Sequence, residues 1–184
     1  MLKTITVLLT TILLSLNSNS QITKSNWILG GVISYASTNN NSENYGVPLT
    51  TYNLQVKPNV GYFFIDKLAA GIKIGVDTKG AKGGPSDTDF NLGPFFRYYL
   101  LNPEKNVNVI TEAGYLYGFE TGTASGKTQK NTLSLSAGPV IYFNTVVGME
   151  ILISYSTYKY TIVTGSNNTI MVSIGLQVHL EREK

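Results

Sequence analysis

Apolar and polar residues alternate strictly along about eight segments of this chain. In the clearest segment, Tyr52, Leu54 and Val56 are each followed by a polar residue, and the same phase continues through Val60 and Tyr62. Successive side chains of a β-strand point to opposite faces, so the alternation predicts strands with one apolar and one polar face. Because the apolar phase carries no charge, it indicates a sheet whose apolar face meets an apolar medium.

The alternation predicts strands of about ten residues or longer, which suits tilted strands that cross a bilayer. Every second strand begins roughly forty residues after the last, as in repeated hairpins, whereas a propeller blade of that period needs four strands. The sequence therefore predicts an all-β, eight-stranded antiparallel up-and-down barrel. The predicted strands are residues 26–35, 51–62, 68–77, 89–100, 107–119, 132–143, 146–157 and 169–180.

The connections between these strands alternate in length, as in outer-membrane barrels with short periplasmic turns and long outer loops. An even number of strands then places both termini in the periplasm. The predicted long connections, rich in Asn, Ser, Thr and Gly, are residues 36–50, 78–88, 120–131 and 158–168, and the short ones are 63–67, 101–106 and 144–145.

Side-chain volume decides which face points outward. The apolar phase carries a dozen aromatic residues, whereas ten of the eighteen glycines share the opposite phase. An eight-stranded barrel has room inside only for a filled layer of side chains, so the bulky phase must face outward. Its aromatics sort into two girdles around an aliphatic band, as a bilayer favours. The girdle positions are Trp27, Tyr62, Tyr98 and Phe143 at the short-turn ends, and Tyr35, Tyr52 and Tyr155 at the opposite ends.

The inward phase predicts a polar network made of Lys57, Lys73, Arg97, Glu112, Glu150 and Gln177. If the turn at 63–67 sets the register, Lys57 faces Lys73, and the two ammonium groups repel each other. Glu112 and Glu150 are then the candidate acids that reach across the lumen. Buried charges are tolerated only when they are paired, so we expect a structural plug of ion pairs and not a conducting channel.

Three prolines lie inside the returning strands, where a closed barrel offers no free edge. Each of Pro58, Pro94 and Pro139 precedes an outward aromatic residue by four positions. Because proline cannot donate to a ladder, we expect a bulge or a locally broken ladder at each one.

The first twenty residues have the form of a secretory signal peptide. Lys3 precedes an apolar stretch that runs from Ile5 to Leu16, and small polar residues follow it. This stretch is too short for a comfortable spanning helix, so we assign residues 1–20 to the signal and 21–184 to the barrel domain, with maturation near Gln21. Without Lys3 the chain has 13 basic and 11 acidic residues and no basic cluster, which gives no support for nucleic-acid binding.

Two segments carry a family resemblance. The segments from Leu92 to Tyr99 and from Ser136 to Phe143 resemble the small outer-membrane β-barrel domain family, similar in architecture to the OmpA transmembrane domain and OmpX. The resemblance implies a barrel in the outer membrane of a Gram-negative-type envelope, in contact with lipid and lipopolysaccharide and inserted by the barrel assembly machinery. The last strand, from Ser173 to Leu180, is similar to the terminal assembly signal. No catalytic residue carries over.

The residues themselves predict no enzyme, cofactor or metal. The segment from Gly122 to Thr128 has three residues between its glycines where a phosphate loop needs four. His179 has no nucleophile placed beside it, and Asp87 with Asp89 are too few oxygens for calcium. The chain has no cysteine, which excludes disulfides and thiolate metal sites.

The leading functional hypothesis is an integral outer-membrane barrel with a structural or surface-interaction role and a side-chain-filled lumen. Its loops would read an external partner that the sequence does not identify. One alternative is a narrow pore for small solutes or ions. Another is an exported, soluble β-sandwich or lipocalin-like ligand binder, which would place the apolar face inside.

Overall fold

The computed structural model describes residues 22–40, 49–84, 86–103, 105–122, 126–161 and 165–181, and the proposed signal peptide lies outside them. Among these residues, no helix is long and apolar enough to cross a membrane. Eight antiparallel strands follow one another around a closed barrel, and the last pairs with the first. They are β1 (Trp27–Asn40), β2 (Leu49–Ile65), β3 (Leu68–Ala81), β4 (Ser86–Tyr99), β5 (Val107–Gly122), β6 (Gly126–Tyr142), β7 (Val147–Tyr160) and β8 (Asn167–Leu180).

The predicted fold is confirmed, and each predicted strand overlaps an observed one. The strands join at residues 66–67, 100–106 and 143–146 at one end of the barrel, here called the short-turn end. The opposite end, here called the loop end, carries the other strand ends: Asn40 and Leu49, Ala81 and Ser86, Gly122 and Gly126, and Tyr160 and Asn167.

The predicted long connections are too long, because the hairpins continue beyond the apolar alternation. β5 and β6 stay paired as far as Gly122 and Gly126, so the predicted connection 120–131 shrinks to 123–125. These extensions are rich in polar residues, so the two-residue period of apolar positions is not visible there in the sequence. Threonines support the extended conformation there, since β-branched residues favour strands.

The large apolar side chains lie outside the barrel. Ile153 and Ile174 in the aliphatic band are 61 % and 54 % exposed, and Trp27 packs edge-to-face on Tyr62 at 5.2 Å at the short-turn end. The other girdle positions also face outward: Tyr98 and Phe143 are exposed at the short-turn end, Tyr35 and Tyr155 are exposed towards the loop end, and Tyr52 is half-buried. This arrangement is the reverse of what a soluble sandwich or lipocalin-like binder requires.

A locally broken ladder accompanies each internal proline, as expected. Near Pro58, the β2–β3 ladder pairs Val56 with Val76 and resumes with Asn59 and Lys73 on the same diagonal, so two positions are skipped without a bulge. The β4–β5 ladder skips two positions at Pro94, and the β6–β7 ladder does so at Pro139. The missing proline N–H explains each gap. Each proline keeps its registered partner on the neighbouring strand at its other edge, β1 for Pro58, β3 for Pro94 and β5 for Pro139.

Two of these gaps bring a backbone carbonyl very close to a glycine. The Tyr115 carbonyl oxygen, opposite Pro94, lies 1.9 Å from the position that a Cβ would take on Gly93. Likewise, the Ile151 carbonyl oxygen lies 1.9 Å from the position that a Cβ would take on Gly138. Any side chain at these two positions would overlap with backbone, so the Gly-Pro pairs form one repeated element of the wall.

The seam between β1 and β8 is paired only at the short-turn end. Its ladder runs from Trp27 with Leu180 to Ile33 with Ile174 and stops there. Residues 34–40 of β1 pair with β2 alone, and residues 167–173 of β8 have registered partners on β7 alone. In the loop-end half the seam therefore lacks registered backbone pairs, and the Ser34 hydroxyl donates to Met171 Sδ across it at 3.0 Å.

Candidate functional site

Arg97 lies at the centre of a charged cluster inside the barrel. It stands on β4 directly opposite Glu112 on β5, with both side chains on the inward phase. The Arg97 Nε and Nη2 atoms donate to Glu112 Oε2 at 3.0 and 2.7 Å. Both residues are almost completely buried, with exposures of 0 % for Arg97 and 4 % for Glu112. Such a fork-like contact fixes the guanidinium plane as well as neutralising charge.

The same guanidinium also bonds to the far side of the lumen. Its Nη1 atom donates to Glu150 Oε2 on β7 and to Gln177 Oε1 on β8, each at 2.9 Å. The residues directly opposite Glu150 and Gln177 are Gly175 and Gly148, which leave room for these side chains. A Cβ on Gly175 would lie 2.8 Å from Glu150 Oε1. The inward glycines therefore make the crossing contact possible.

Lys73 completes the charge balance of this network. It forms an ion pair with Glu112, and its Nζ lies 5.4 Å from the ring centre of Phe95, which also lies 5.7 Å from the Arg97 guanidinium. Two cations thus face two carboxylates across β3, β4, β5 and β7, which is the condition under which buried charges are tolerated. The structure places five of the six predicted network residues together: Lys73, Arg97, Glu112, Glu150 and Gln177.

The predicted opposition of Lys57 and Lys73 is wrong. Lys73 lies opposite Asn59, because the β2–β3 turn has only two residues, Asp66 and Lys67, and is centred further along the chain than expected. Lys57 instead donates to Gln55 Oε1 at 2.8 Å and lies 3.7 Å from Asp77 Oδ1. Glu112 and Glu150 were the two acids expected to form ion pairs with these lysines. Glu112 forms one with Lys73, whereas Glu150 forms its ion pair with Arg97.

An apolar cluster fills the lumen between this network and the short-turn end. It contains Ile22, Ile28, Phe63, Ala69, Tyr99, Ile110, Val140 and Leu152. Two tyrosines join it to the network, since Tyr99 donates to Gln177 Oε1 at 2.8 Å and Gln177 Nε2 donates to Tyr142 Oη at 3.3 Å. The His179 ring lies within 6 Å of the Phe63, Tyr99 and Tyr142 rings.

Sequence reasoning missed Tyr99 and Tyr142 as network residues. Tyr99 follows the outward Tyr98, and Tyr142 precedes the outward Phe143, so both tyrosines lie on the inward phase of their strands. The alternation itself was the signal that could have found them.

The loop-end half of the lumen contains a cavity of about 150 Å³, here called the vestibule. Lys130 on β6 donates to Asp89 Oδ2 at 2.5 Å and lies 4.8 Å from the ring centre of Tyr158. Lys130 falls in the predicted connection 120–131 and Asp89 at the first position of a predicted strand, but both belong to observed strands and face inward. Charged side chains also line it: Lys57, Lys73, Asp77, Lys79 and Glu112. Short hydroxyl side chains make up another part of the lining: Ser34, Thr132, Ser134, Ser136, Ser154, Ser156, Thr169 and Ser173.

The charged residues of this arrangement hold several strands together. Among the described residues, no three His, Cys, Asp or Glu side chains are grouped to hold a metal ion. Arg97 and its partners instead link β4, β5, β7 and β8 through hydrogen-bonded charges. Buried hydrogen-bonded networks of this kind make a core rigid.

A closed antiparallel barrel of eight strands, apolar outside and bridged by charges inside, has the fold of the small outer-membrane barrels. No protein-family model matches the sequence, and no curated protein does. Solved structures share the fold, and three small barrels are among them. Neisserial surface protein A is 11 % identical with a TM-score of 0.60, and the match covers 83 % of this chain and 96 % of that one.

The other two come from Pseudomonas aeruginosa. The outer membrane protein OprG is 13 % identical with a TM-score of 0.54 and coverage of 89 % and 100 %. The N-terminal β-barrel domain of OprF is 16 % identical with a TM-score of 0.50 and coverage of 86 % and 98 %. At these identities the likeness shows the fold, and the function has to be argued from the residues. The expected likeness to small eight-stranded outer-membrane barrels is confirmed at this level.

Proposed function

We propose that this chain is an integral outer-membrane protein with a structural or surface-interaction role, whose own side chains close the lumen and which performs no catalysis. The observation that carries the proposal is the crossing contact of Arg97 to Glu150 and Gln177. It joins opposite walls at a level where an open channel would need water. An eight-stranded barrel is also the size at which side chains fill the interior.

The outer surface supports a membrane location. Exposed aliphatic residues form a band between aromatic residues at both ends, and the described residues on that band carry no charge in its middle. OprG is described as an outer membrane protein, and OprF contributes a barrel domain of the same architecture. We therefore assign the protein to the outer membrane of a Gram-negative-type envelope, in contact with lipid and lipopolysaccharide.

The two ends of the barrel support the proposed orientation. β1 begins and β8 ends at the short-turn end, so both chain termini leave the barrel on that side. We place this end in the periplasm and the loop end outside. Insertion then requires β8 to close against β1 along Trp27–Leu180 to Ile33–Ile174, a step we assign to the barrel assembly machinery.

The loop end is the proposed interaction surface. It combines extended hairpins, the vestibule, and strand edges at residues 34–40 and 167–173 that have no registered partner across the seam. Exposed strand edges are the features through which barrels and sheets meet other chains. The partner is a molecule at the cell surface that reads these hairpins.

Two measurements test the proposal. Membrane fractionation should recover the protein with the outer membrane, and the purified protein should require detergent and show heat-modifiable gel migration. In planar bilayers, the wild-type protein should not raise conductance above background. Free solubility without detergent would contradict the membrane assignment, and steady wild-type channels would contradict the closed lumen.

A second candidate is a narrow pore for small solutes or ions. The vestibule favours it, because this cavity extends from the loop end down to Lys73 and Glu112. In this reading the Arg97 network and the apolar cluster below it are the barrier that must open. Channel events in the wild-type protein that vanish when Lys73 is replaced by methionine would favour the pore.

A further inference from the structure

Residues 22–26 turn back into the short-turn end before β1 begins. Ile22 is only 2 % exposed and belongs to the apolar cluster that contains Phe63 and Ala69. A residue outside the barrel strands would be expected to meet solvent or lipid headgroups. The Ile22 side chain instead lies among the residues that fill the lumen.

Backbone hydrogen bonds tie this segment to the β2–β3 hairpin. The Lys67 amide donates to the Ile22 carbonyl at 2.8 Å, and the Ser25 amide donates to the Phe63 carbonyl at 2.8 Å. The Phe63 amide returns a bond to the Asn26 carbonyl at 2.9 Å, and the Lys24 amide donates to the Asp66 carboxylate at 2.8 Å. The segment is thus anchored at both its ends and is not a loose tail.

Backbone strain is concentrated at the same place. In the described part of the chain, the non-glycine residues with positive φ are Ser25 at 76° and Lys67 at 66°. Such conformations are unfavourable for residues with a side chain, and they persist where surrounding contacts hold them. Ser25 reverses the chain so that Ile22 points inward, and Lys67 supplies the amide that binds the Ile22 carbonyl.

We propose that residues 22–26 form a plug that seals the short-turn end of the lumen, with Ile22 as its closing side chain. The plug keeps water from reaching the tyrosines and the Arg97 network above it, where charges depend on each other in the absence of solvent. This inference rests on the closed lumen proposed above and names the segment that completes the closure.

The absence of cysteine from the sequence provides a direct test. Ala69→Cys places a single thiol in the apolar cluster, and a polar maleimide reports its exposure in detergent micelles, where both barrel ends are accessible. With Ile22 present, the thiol should stay protected. With Ile22→Gly, labelling should be at least about tenfold faster, because local opening no longer displaces a buried side chain.

The controls separate failure of the plug from failure of the closed lumen. Ser37→Cys, exposed at the loop end, should react equally in both backgrounds, and heat-modifiable migration should confirm that both barrels are folded. Equal protection at position 69 with and without Ile22 would overturn the plug and leave the closed lumen intact. Rapid labelling with Ile22 present would overturn the closed lumen itself.

A matched pair at Ser25 tests how the plug is seated. Ser25→Gly relieves the positive φ and should preserve protection at position 69, whereas Ser25→Val adds a β-branched side chain where that φ is least tolerated and should expose it. Equal protection in the two variants would show that the turn at Ser25 does not seat the plug.

Discussion

The two halves of the barrel follow the same alternation, yet they differ in how completely they are closed. In the short-turn half, the β1–β8 seam is paired and large side chains such as Phe63, Tyr99 and Arg97 fill the lumen. In the loop-end half, the β1–β8 ladder has stopped, and the vestibule is lined by short hydroxyl side chains together with charged residues such as Lys57, Asp77 and Lys79. The contrast shows that one strand pattern can build a filled half and a half with a cavity when the sizes of the inward residues and the pairing of the seam both change.

This difference separates stability from surface function. Buried charge pairs and packed rings concentrate stabilising contacts in the short-turn half. The loop-end half depends on hairpin hydrogen bonds and partly hydrated ion pairs, and it can vary without disturbing the body, as is usual for loops on a rigid scaffold. Mutations should therefore have effects that depend on depth.

The largest effect is expected from Arg97→Met in the short-turn half. It leaves Glu112 with only Lys73 and Glu150 with no basic partner among the contacts described, so the folded barrel should lose about 3–5 kcal/mol. Urea unfolding followed by tryptophan fluorescence of Trp27 would measure the loss. A change below about 1 kcal/mol would mean that the network is hydrated and that this half is not sealed.

A smaller effect is expected from Gly138→Ala at the β6–β7 gap. The new methyl group would overlap with the Ile151 carbonyl oxygen, 1.9 Å from the Cβ position, and should cost about 1–3 kcal/mol. Gly84→Ala is the matched control, because its Cβ would meet nothing nearer than 3.4 Å. Equal unfolding midpoints for the two variants would contradict the close carbonyl approach.

The seam should show the contrast as a difference in hydrogen exchange. Amides of β8 that point toward β1 should exchange at least about tenfold faster in residues 167–173 than in residues 174–180, since only the second group has registered partners on β1. Exchange followed by NMR in micelles resolves single amides. Uniform protection along β8 would mean that the seam is closed over its whole length.

The smallest effect is expected from Lys130→Met in the vestibule. The Lys130 side chain is 14 % exposed whereas Asp89 is buried, so the loss of this ion pair should cost about 1 kcal/mol, and less at high salt. The cost of Arg97→Met should change little with salt, because Arg97 and Glu150 themselves are completely buried. A salt-independent effect at Lys130 would mean that the vestibule is as dry as the short-turn half.

Much of the architecture could be predicted from the residues. The phase that carries Trp27, Leu54 and Ile153 is too bulky for an eight-stranded interior, and volume alone assigned it to the outside. The ladder gaps at Pro58, Pro94 and Pro139 followed from the missing N–H. These features depend on each residue's own chemistry and on its phase.

The pairing register of the strands and the side-chain contacts across the lumen could not be predicted in the same way. The prediction that Lys57 faces Lys73 was wrong. A register shift of two residues gives every residue a new cross-strand partner, but each side chain still points to the same face of the sheet. The contact between Arg97 and Glu150 depends on which strands lie across the lumen. Ile22 belongs to no alternating segment, so its burial had no signal in the sequence.

All three proline gaps, and the half-paired seam, lie between the four hairpins that turn at the loop end. The ladders within the hairpins β1–β2, β3–β4, β5–β6 and β7–β8 run without a break, whereas β2–β3, β4–β5, β6–β7 and β8–β1 are each interrupted. The wall therefore consists of four continuously paired hairpins that are joined by four interrupted ladders. When one terminus is pulled mechanically, the chain should leave the membrane two strands at a time. Each hairpin should be extracted completely before the next one begins to unfold.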